Sequence, residues 1–556
     1  MILLLFLIIT YIFKVYFFGK SFYIDDDNSY INIAISDGAI ISLCLILFYF
    51  SKFSSRLLSL LIKTIILSLI VFYVVDVFVT LMFNSRLYFD DFDKFYVNID
   101  IKIFNEPFFY IILTFIICML MFFFENKKNE NALNKKIFIF IPLVFILFNY
   151  NVNSSVRSSF FKNYILVNLD STYNNEYSSN FINDMQLFDK DKDKVCNIVP
   201  ESKPKNIIVF ILESWSYYHS KLFGADNDWT PRLDKLSEKG VTFKSFYANG
   251  FTTEAGLYAL LTGEPVLPYS ENYGTDGALG LNNLKFSESL PNKFNEEGYN
   301  TKFITSGNLN FLEKGEWLKS LGFNKIIGNE SFDVKDRKFL FRSVSDEKLY
   351  DKVEAELYQN ENNFIVVENV NTHQPFYYPS GDEIEQSEEN AFKYADEKLA
   401  NTIEAISDKD TMIIVMSDHR AMTPITNKER TDSKRMAVSR VPMFILWNKH
   451  KDIVNLNFQQ TDVLPSVLGS INGLACTNHN RGAILPLDKM VSSKCVYHAR
   501  GDNRSIVSVM CDNEQFDIVL DGDDSKITLE GENKKYEKSS IDYINFIRIS
   551  SQFDNG

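Results

Sequence analysis

The chain has 556 residues, enough for three or four units at ~150 residues each, with 46% hydrophobic and 23% charged side chains. Acids outnumber bases 71 to 57, giving a formal net charge of −14, whereas a polyanion-binding surface needs concentrated positive charge; nucleic acid is disfavoured as a partner. None of the six Cys forms a CxxC pair, which removes zinc-knuckle and thioredoxin readings.

Taken in chain order, apolar runs occupy about 1–18, 33–50, 57–83, 108–124 and 137–153. A bilayer-crossing helix needs ~20 mostly apolar residues, and these runs are near that length. Lys52 and Arg56 mark one loop and Lys127, Lys128, Lys135 and Lys136 another, whereas Asp25, Asp26, Asp27, Asp90, Asp91 and Asp93 mark the loops between. Basic residues stay on the cytoplasmic side, so the alternation predicts a five-helix transmembrane domain over 1–153, with everything after it outside. The first run lacks a basic n-region and an A-x-A-like site and is read as a span rather than a cleaved signal peptide. Lys14 and Lys63 are expected to snorkel to the interface, and Asp76 to meet either lipid head groups or a neighbouring helix.

Residues 154–203, including SSFFKNYILVNL, read as an amphipathic connector on the membrane surface or a solvated linker. From Lys205 the short β-branched runs NIIVFIL, TKFIT, FIVV and TMIIVM alternate with longer helical or loop stretches. That pattern predicts an α/β domain over 204–500 with buried, mainly parallel strands flanked by helices. VSVMC, FDIVL and SKITL predict a small antiparallel sheet in a β-rich subdomain over 501–556.

Open α/β sheets gather their functional groups beyond the carboxyl ends of the strands. There the first strand delivers Glu213, a second delivers Ser417-Asp418-His419, and a third runs into Asn369, Thr372 and His373. Such oxygen and nitrogen donors suit one Zn²⁺ or Mn²⁺ ion with an open position. Thr252-Thr253-Glu254 opens a helix that Gly263 ends, and a Thr hydroxyl at a helix N-terminus faces backbone N–H groups that favour an alkoxide or a phosphate. Thr253 as a plain N-cap is the ordinary alternative, and Thr252 is the rival nucleophile. Arg420 is a phosphate ligand or a surface ion-pair partner. Asp396 is expected to brace a helix. His219, His450, His479 and His498 are read as core or surface residues.

The order of these pieces, a strand ending LES, Thr253 nine positions before Thr262-Gly263, then Ser417-Asp418-His419, resembles the alkaline-phosphatase/sulfatase superfamily. Within it the likeness is to the membrane-anchored branch of phosphoglycerol transferase I, lipoteichoic-acid synthases and phosphoethanolamine transferases, carried also by Ser306-Gly307-Asn308-Leu309, Phe311, Lys314 and Leu318 to Phe323. The resemblance covers about 205–425.

The resemblance implies an alkaline-phosphatase-like fold. It also implies that Glu213, Thr253, Asp418 and His419 hold one divalent metal ion, Mn²⁺ or Zn²⁺, with Thr253 also the nucleophile. His373, Lys314 and Asn308 would meet the substrate, and His373 would serve as acid or base. The chain has Thr253, Ala255 and Leu257 where sulfatases carry their formylglycine precursor, Pro and Arg, which disfavours sulfate-ester hydrolysis. The implied activity is transfer of glycerophosphate from a phospholipid donor to a glycan or lipid-linked acceptor at the outer face of the cytoplasmic membrane. The rivals are phosphoethanolamine transfer and a non-catalytic binding module. Four Cys lie in the outside part, where up to two disulfides would form; spacing does not fix their pairing, and Cys476 with Cys495 is the trial pair.

Overall fold

The computed structural model describes residues 7–15, 29–83, 86–87, 163–170, 177–267, 285–357, 362–381, 383–407, 410–501, 506–527 and 536–550. The chain divides into two compact units, residues 1–172 with 423–425, and residues 173–422 with 426–556.

The first unit contains helices α1 (Ser29–Phe53), α2 (Arg56–Phe83) and α3 (Tyr164–Asp170). Ile33–Ser51 and Arg56–Val77 are long and apolar enough to cross a bilayer. Ile33, Ile40 and Cys44 of α1 pack against Ile66, Ile70, Tyr73 and Val77 of α2, while Leu57, Leu60 and Leu61 stay exposed, as lipid-facing positions would. Of the five expected spans, two have candidate helices among the described residues. The runs at 108–124 and 137–153 lie outside the described residues, as does part of the first.

Two charge expectations change. Lys14 does not snorkel: it is fully buried, with Nζ 2.6 Å from Asp37, which also accepts from the Tyr73 hydroxyl at 3.0 Å. Asp76 pairs with neither of the expected partners but with Arg86, beyond the end of its own helix, gripping the guanidinium through both carboxylate oxygens at 3.0 and 2.6 Å. A charge in so apolar a setting persists only when paired, which accounts for both contacts.

The second unit is built on an eight-stranded sheet. In chain order its elements are β1 (Val195–Ile198), β2 (Asn206–Ile211), α4 (Pro231–Ser237), β3 (Val241–Phe243), α5 (Thr253–Thr262), β4 (Asn300–Thr305), α6 (Lys314–Ser320) and β5 (Lys325–Ile327). There follow α7 (Asp346–Leu357), β6 (Asn363–Glu368), α8 (Glu388–Ile406), β7 (Thr411–Met416), β8 (Met443–Leu446), β9 (Asp452–Val454), α9 (Gln460–Ile471) and β10 (Leu474–Thr477). The main sheet runs β9-β3-β8-β7-β2-β6-β4-β5. Its five strands from β7 to β5 are mutually parallel; β8 is antiparallel to both its neighbours.

Successive residues of β2 serve opposite cores. Ile207, Val209 and Ile211 pack with Leu257, Leu260 and Leu261 of α5 and Val463 and Leu464 of α9. Ile208 and Phe210 pack with Leu233 of α4, Leu349 and Val353 of α7, and Phe392 and Leu399 of α8. Helices on both faces bury the strands completely, which is why these runs are apolar throughout rather than alternating. The expected mainly parallel α/β architecture is present, and NIIVFI, NTKFIT, NFIVVE and TMIIVM are its central strands.

The C-terminal antiparallel sheet is also present, as β11 (Cys495–Ala499), β12 (Ile506–Cys511), β13 (Glu514–Val519) and β14 (Lys526–Ile527), covered by α10 (Glu537–Ser550). The trial disulfide fails. Cys196 pairs with Cys476 and Cys495 with Cys511, each couple lying directly opposite on adjacent antiparallel strands, β1 with β10 and β11 with β12.

Candidate active site

Strand register brings the chemistry together. Ile211, Glu368 and Met416 lie side by side at the carboxyl ends of β2, β6 and β7, so the residues that follow each of them meet above one edge of the sheet. Glu213, Asp418 and His419 are all buried, with candidate ligand atoms within 4.8 Å of one another. Helix α5 supplies the fourth group: Thr253 Oγ1 donates to Glu213 Oε2 at 2.9 Å and lies 3.4 Å from His419 Nε2. The same Nε2 is 3.2 Å from Glu213 Oε1 and 3.4 Å from Asp418 Oδ2.

Thr252, not Thr253, caps α5. Its hydroxyl accepts from the Ala255 N–H, which commits it to the helix end and leaves Thr253 to face the cluster. Gly263 ends the helix in the left-handed conformation with φ of 71°, as the sequence predicts.

The four groups fit a cation. Asp418 Oδ1 accepts from the Ser214 and His419 N–H groups at 2.9 and 2.8 Å, whereas Oδ2 is buried with no hydrogen-bond partner among the described residues. Buried carboxylate oxygens are rarely left so, and a bound ion would account for this one. His419 Nδ1 lies 2.8 Å from the Arg420 carbonyl; as the donor there it leaves the Nε2 lone pair aimed at the cluster, the usual posture of a metal-binding imidazole. With protons alone in the site, and against the opposing effect of burial, Asp418 and Glu213 hold the His419 imidazolium up to about 10. Burial and the neighbouring Glu213 raise Asp418 to about 7. So much negative charge in one dry place calls for a positive partner.

Around this core the loops are tied to one another. Asn369 Oδ1 accepts from the Glu213 N–H at 2.8 Å, and its amide donates to Asp346 and Thr372, each at 3.0 Å. Gln460, which opens α9, donates to the Ser417 and Asp418 carbonyls at 3.1 and 2.5 Å.

Lys314 is buried, its ammonium 2.7 Å from Glu368 at the end of β6. Burial works against its charge, but Glu368, Glu254 and Glu213 outweigh that and hold it above its ordinary range. Burial raises Glu254 to about 7, opposed by Lys314. His373 is pushed down to about 4, chiefly by burial, and is neutral at physiological pH; its Nδ1 contacts the Gln374 carbonyl, leaving Nε2 available as an acceptor. The charges of His419, Asp418 and Lys314 all bear on that imidazole.

Asn308 is half-buried and accepts from the Asn310 N–H at 2.9 Å, shaping the turn before Lys314. Arg420 is committed elsewhere: its guanidinium forms a two-point ion pair with buried Glu429 at 2.8 and 2.9 Å, stacked on Tyr218, so the phosphate-ligand option gives way to a structural one. Asp396 braces α4, accepting from the Arg232 and Leu233 N–H groups. Buried His219, stacked on Trp229 and Phe392, is a core histidine, as expected. Glu368 escaped sequence reasoning, although a carboxylate closing an otherwise apolar strand was the available signal.

The family model described as Sulfatase matches residues 205–473, a span that contains every residue of the cluster. Residues 205–473 form a sulfatase-family domain. Among characterised proteins, lipoteichoic acid synthase 1 of Bacillus subtilis is 25% identical over 306 residues, 48% of this chain and 46% of its own length. The chain thus matches about half the length of that relative. An alkaline phosphatase superfamily protein from Vibrio parahaemolyticus is similar in structure, with TM-score 0.49 and 20% identity over 68% of this chain and 96% of that one. The lipoteichoic acid synthase LtaP from Listeria monocytogenes superposes with TM-score 0.45 and 18% identity, over 66% of this chain and 95% of its own.

Proposed function

We propose that this sulfatase-family chain is a membrane-bound phosphotransferase. It takes glycerophosphate from phosphatidylglycerol, holds it on Thr253, and passes it to a hydroxyl of a periplasmic glucan or other cell-envelope glycan. One observation carries the reading: a single threonine hydroxyl touches Glu213 and approaches His419 while the neighbouring Asp418 oxygen is left without a partner.

Glu213, Thr253, Asp418 and His419 would hold the cation, Mn²⁺ or Zn²⁺. Such an ion lowers the pKa of a hydroxyl and offsets charge on phosphoryl oxygens. In the first step Thr253 Oγ1 bonds to phosphorus, the bond to the diacylglycerol oxygen breaks, and the proton given up by the threonine is balanced by one taken up at that oxygen, so that diacylglycerol leaves as the alcohol. In the second step the acceptor hydroxyl attacks the phosphothreonine, the Thr253 Oγ1–P bond breaks, and neutral His373, with Nε2 free to accept, takes the acceptor's proton while one returns to Thr253 Oγ1. Lys314 meets the phosphate and Asn308 shapes the turn that presents it. The apolar helices α1 and α2 support a donor drawn from the membrane with the catalytic domain on the extracytoplasmic side. The lipoteichoic acid synthase relative supports a cell-envelope acceptor.

A second reading, phosphoethanolamine transfer, uses the same groups. It is favoured by Glu254 and Glu368 beside Lys314, an acidic setting suited to an ammonium head group.

The test is to incubate membranes containing the protein with head-group-labelled phosphatidylglycerol or phosphatidylethanolamine and weigh the Thr253 peptide. A glycerophosphate adduct on the wild type and none on Thr253→Ala is expected. A phosphoethanolamine adduct transfers the case to the second reading, and normal turnover by Thr253→Ala ends both.

A further inference from the structure

Ser214 stands between the two acidic residues of the cluster and contacts both. Its hydroxyl donates to Glu213 Oε1 at 2.9 Å, and its backbone N–H donates to Asp418 Oδ1 at 2.9 Å. It does so from a conformation that non-glycine residues seldom adopt, with φ of 59°. The left-handed turn directs the N–H of a residue following β2 at a carboxylate following β7, and the two strands are parallel neighbours in register. A second tie holds the turn in place: the Ser216 hydroxyl donates to the Ser214 carbonyl at 2.9 Å and accepts from the Ala421 N–H at 2.8 Å. Strained residues of this kind persist where the surroundings over-determine them, and they cluster at functional sites.

We infer that Ser214 is a positioning residue that makes each acidic ligand present one oxygen to the cation. Its hydroxyl holds Glu213 Oε1, which also lies 3.2 Å from His419 Nε2, and so turns Oε2 toward Thr253. Its N–H, together with that of His419, occupies Asp418 Oδ1 and leaves the unpartnered Oδ2. A carboxylate with both oxygens free can chelate a metal through both and fill a second coordination position; one held this way leaves that position for a phosphoryl oxygen. The inference rests on the reading that the cluster binds a divalent cation.

The experiment titrates the full chain in detergent with Co²⁺, following its visible absorption and measuring affinity by competition with a chelating dye. The wild type, Ser214→Ala and Ser214→Gly are compared, with thermal unfolding of each in the absence of metal. Hydrogen-bonded partners of metal ligands typically contribute ~10–100-fold in affinity, so both variants should bind Co²⁺ at least ~10-fold more weakly. Their absorption should also be fainter, as the freed carboxylate raises the coordination number. Ser214→Gly adopts positive φ without strain, so its metal-free unfolding temperature should equal or exceed that of the wild type. Variants that bind Co²⁺ like the wild type, with the same spectrum, would overturn the role of Ser214 alone. Loss in Ser214→Ala but not in Ser214→Gly would assign the effect to the backbone and overturn the hydroxyl's part. A wild type that binds no Co²⁺ would overturn the cation reading itself.

Discussion

A Cβ atom on Gly256 would lie 2.3 Å from the carbonyl oxygen of Asp418, so helix α5 meets the loop after β7 backbone to backbone. That contact carries Thr253, three residues earlier on the same helix, into reach of Glu213 and His419. Gly256→Ala should push the two segments apart by roughly 1 Å, and a misplacement of that size costs up to ~100-fold in rate. We expect a loss of that order in transfer, with the protein still folded by circular dichroism. Wild-type turnover in Gly256→Ala would show that the close approach is not needed.

The Lys314–Glu368 pair separates stability from catalysis. Both side chains are buried, and removing one partner of such a pair typically costs about 3 kcal/mol, because a charge is left uncompensated. Glu368→Gln should therefore lower the denaturant midpoint, with Glu254 nearby softening the loss. Adding Lys314→Met should restore much of the stability while leaving transfer abolished. A double variant that is both stable and active would remove Lys314 from the substrate site.

The strands, and the gathering of Glu213, Asp418 and His419 at one edge, were legible in the sequence for the same reason: a strand buried on both faces is an unbroken apolar run, and the first polar residues after it sit at the functional edge. Thr253 opens a helix beside Thr252, and only the spacing shared with the resembling family separated the two. The role of Arg420 could not be read, since whether a guanidinium after a strand end meets substrate or a carboxylate depends on Glu429, nine residues on and brought back by a short helix. Lys14 was misjudged because its partner Asp37 lies on another helix, and hydropathy does not report such pairs. The same blindness applies to Ser214, whose part comes from a backbone angle.

Disulfide pairing was equally out of reach, because Cys476 and Cys495 are near in sequence but belong to different sheets. The observed pairs predict unequal effects. Cys196–Cys476 spans 280 residues and Cys495–Cys511 only 16. Loop entropy grows with the length enclosed, so replacing the first pair with Ser should cost about 5 kcal/mol and the second about 3 kcal/mol. Denaturant unfolding of the two double-Ser variants decides it. A larger loss from the short loop would mean that local packing in the C-terminal sheet outweighs chain entropy.

Asp396 gives the pH dependence. It is buried at the N-terminus of α4, where its two oxygens accept from Arg232 and Leu233 at 3.1 and 2.8 Å. Burial raises its pKa from the ordinary 3.8 to about 7. The folded state therefore holds this proton more tightly than the unfolded chain does. The stabilisation is fully present below about pH 4 and is lost as pH rises through about 7. Asp396→Asn cannot titrate; it gives up one N–H contact, at about 1 kcal/mol, at every pH. Wild type should accordingly be the more stable at pH 4.5, and its advantage should shrink by up to a few kcal/mol by pH 7.5. Chemical denaturation of both proteins at pH 4.5, 6 and 7.5 measures this, and parallel stability curves would show that Asp396 does not titrate in that window.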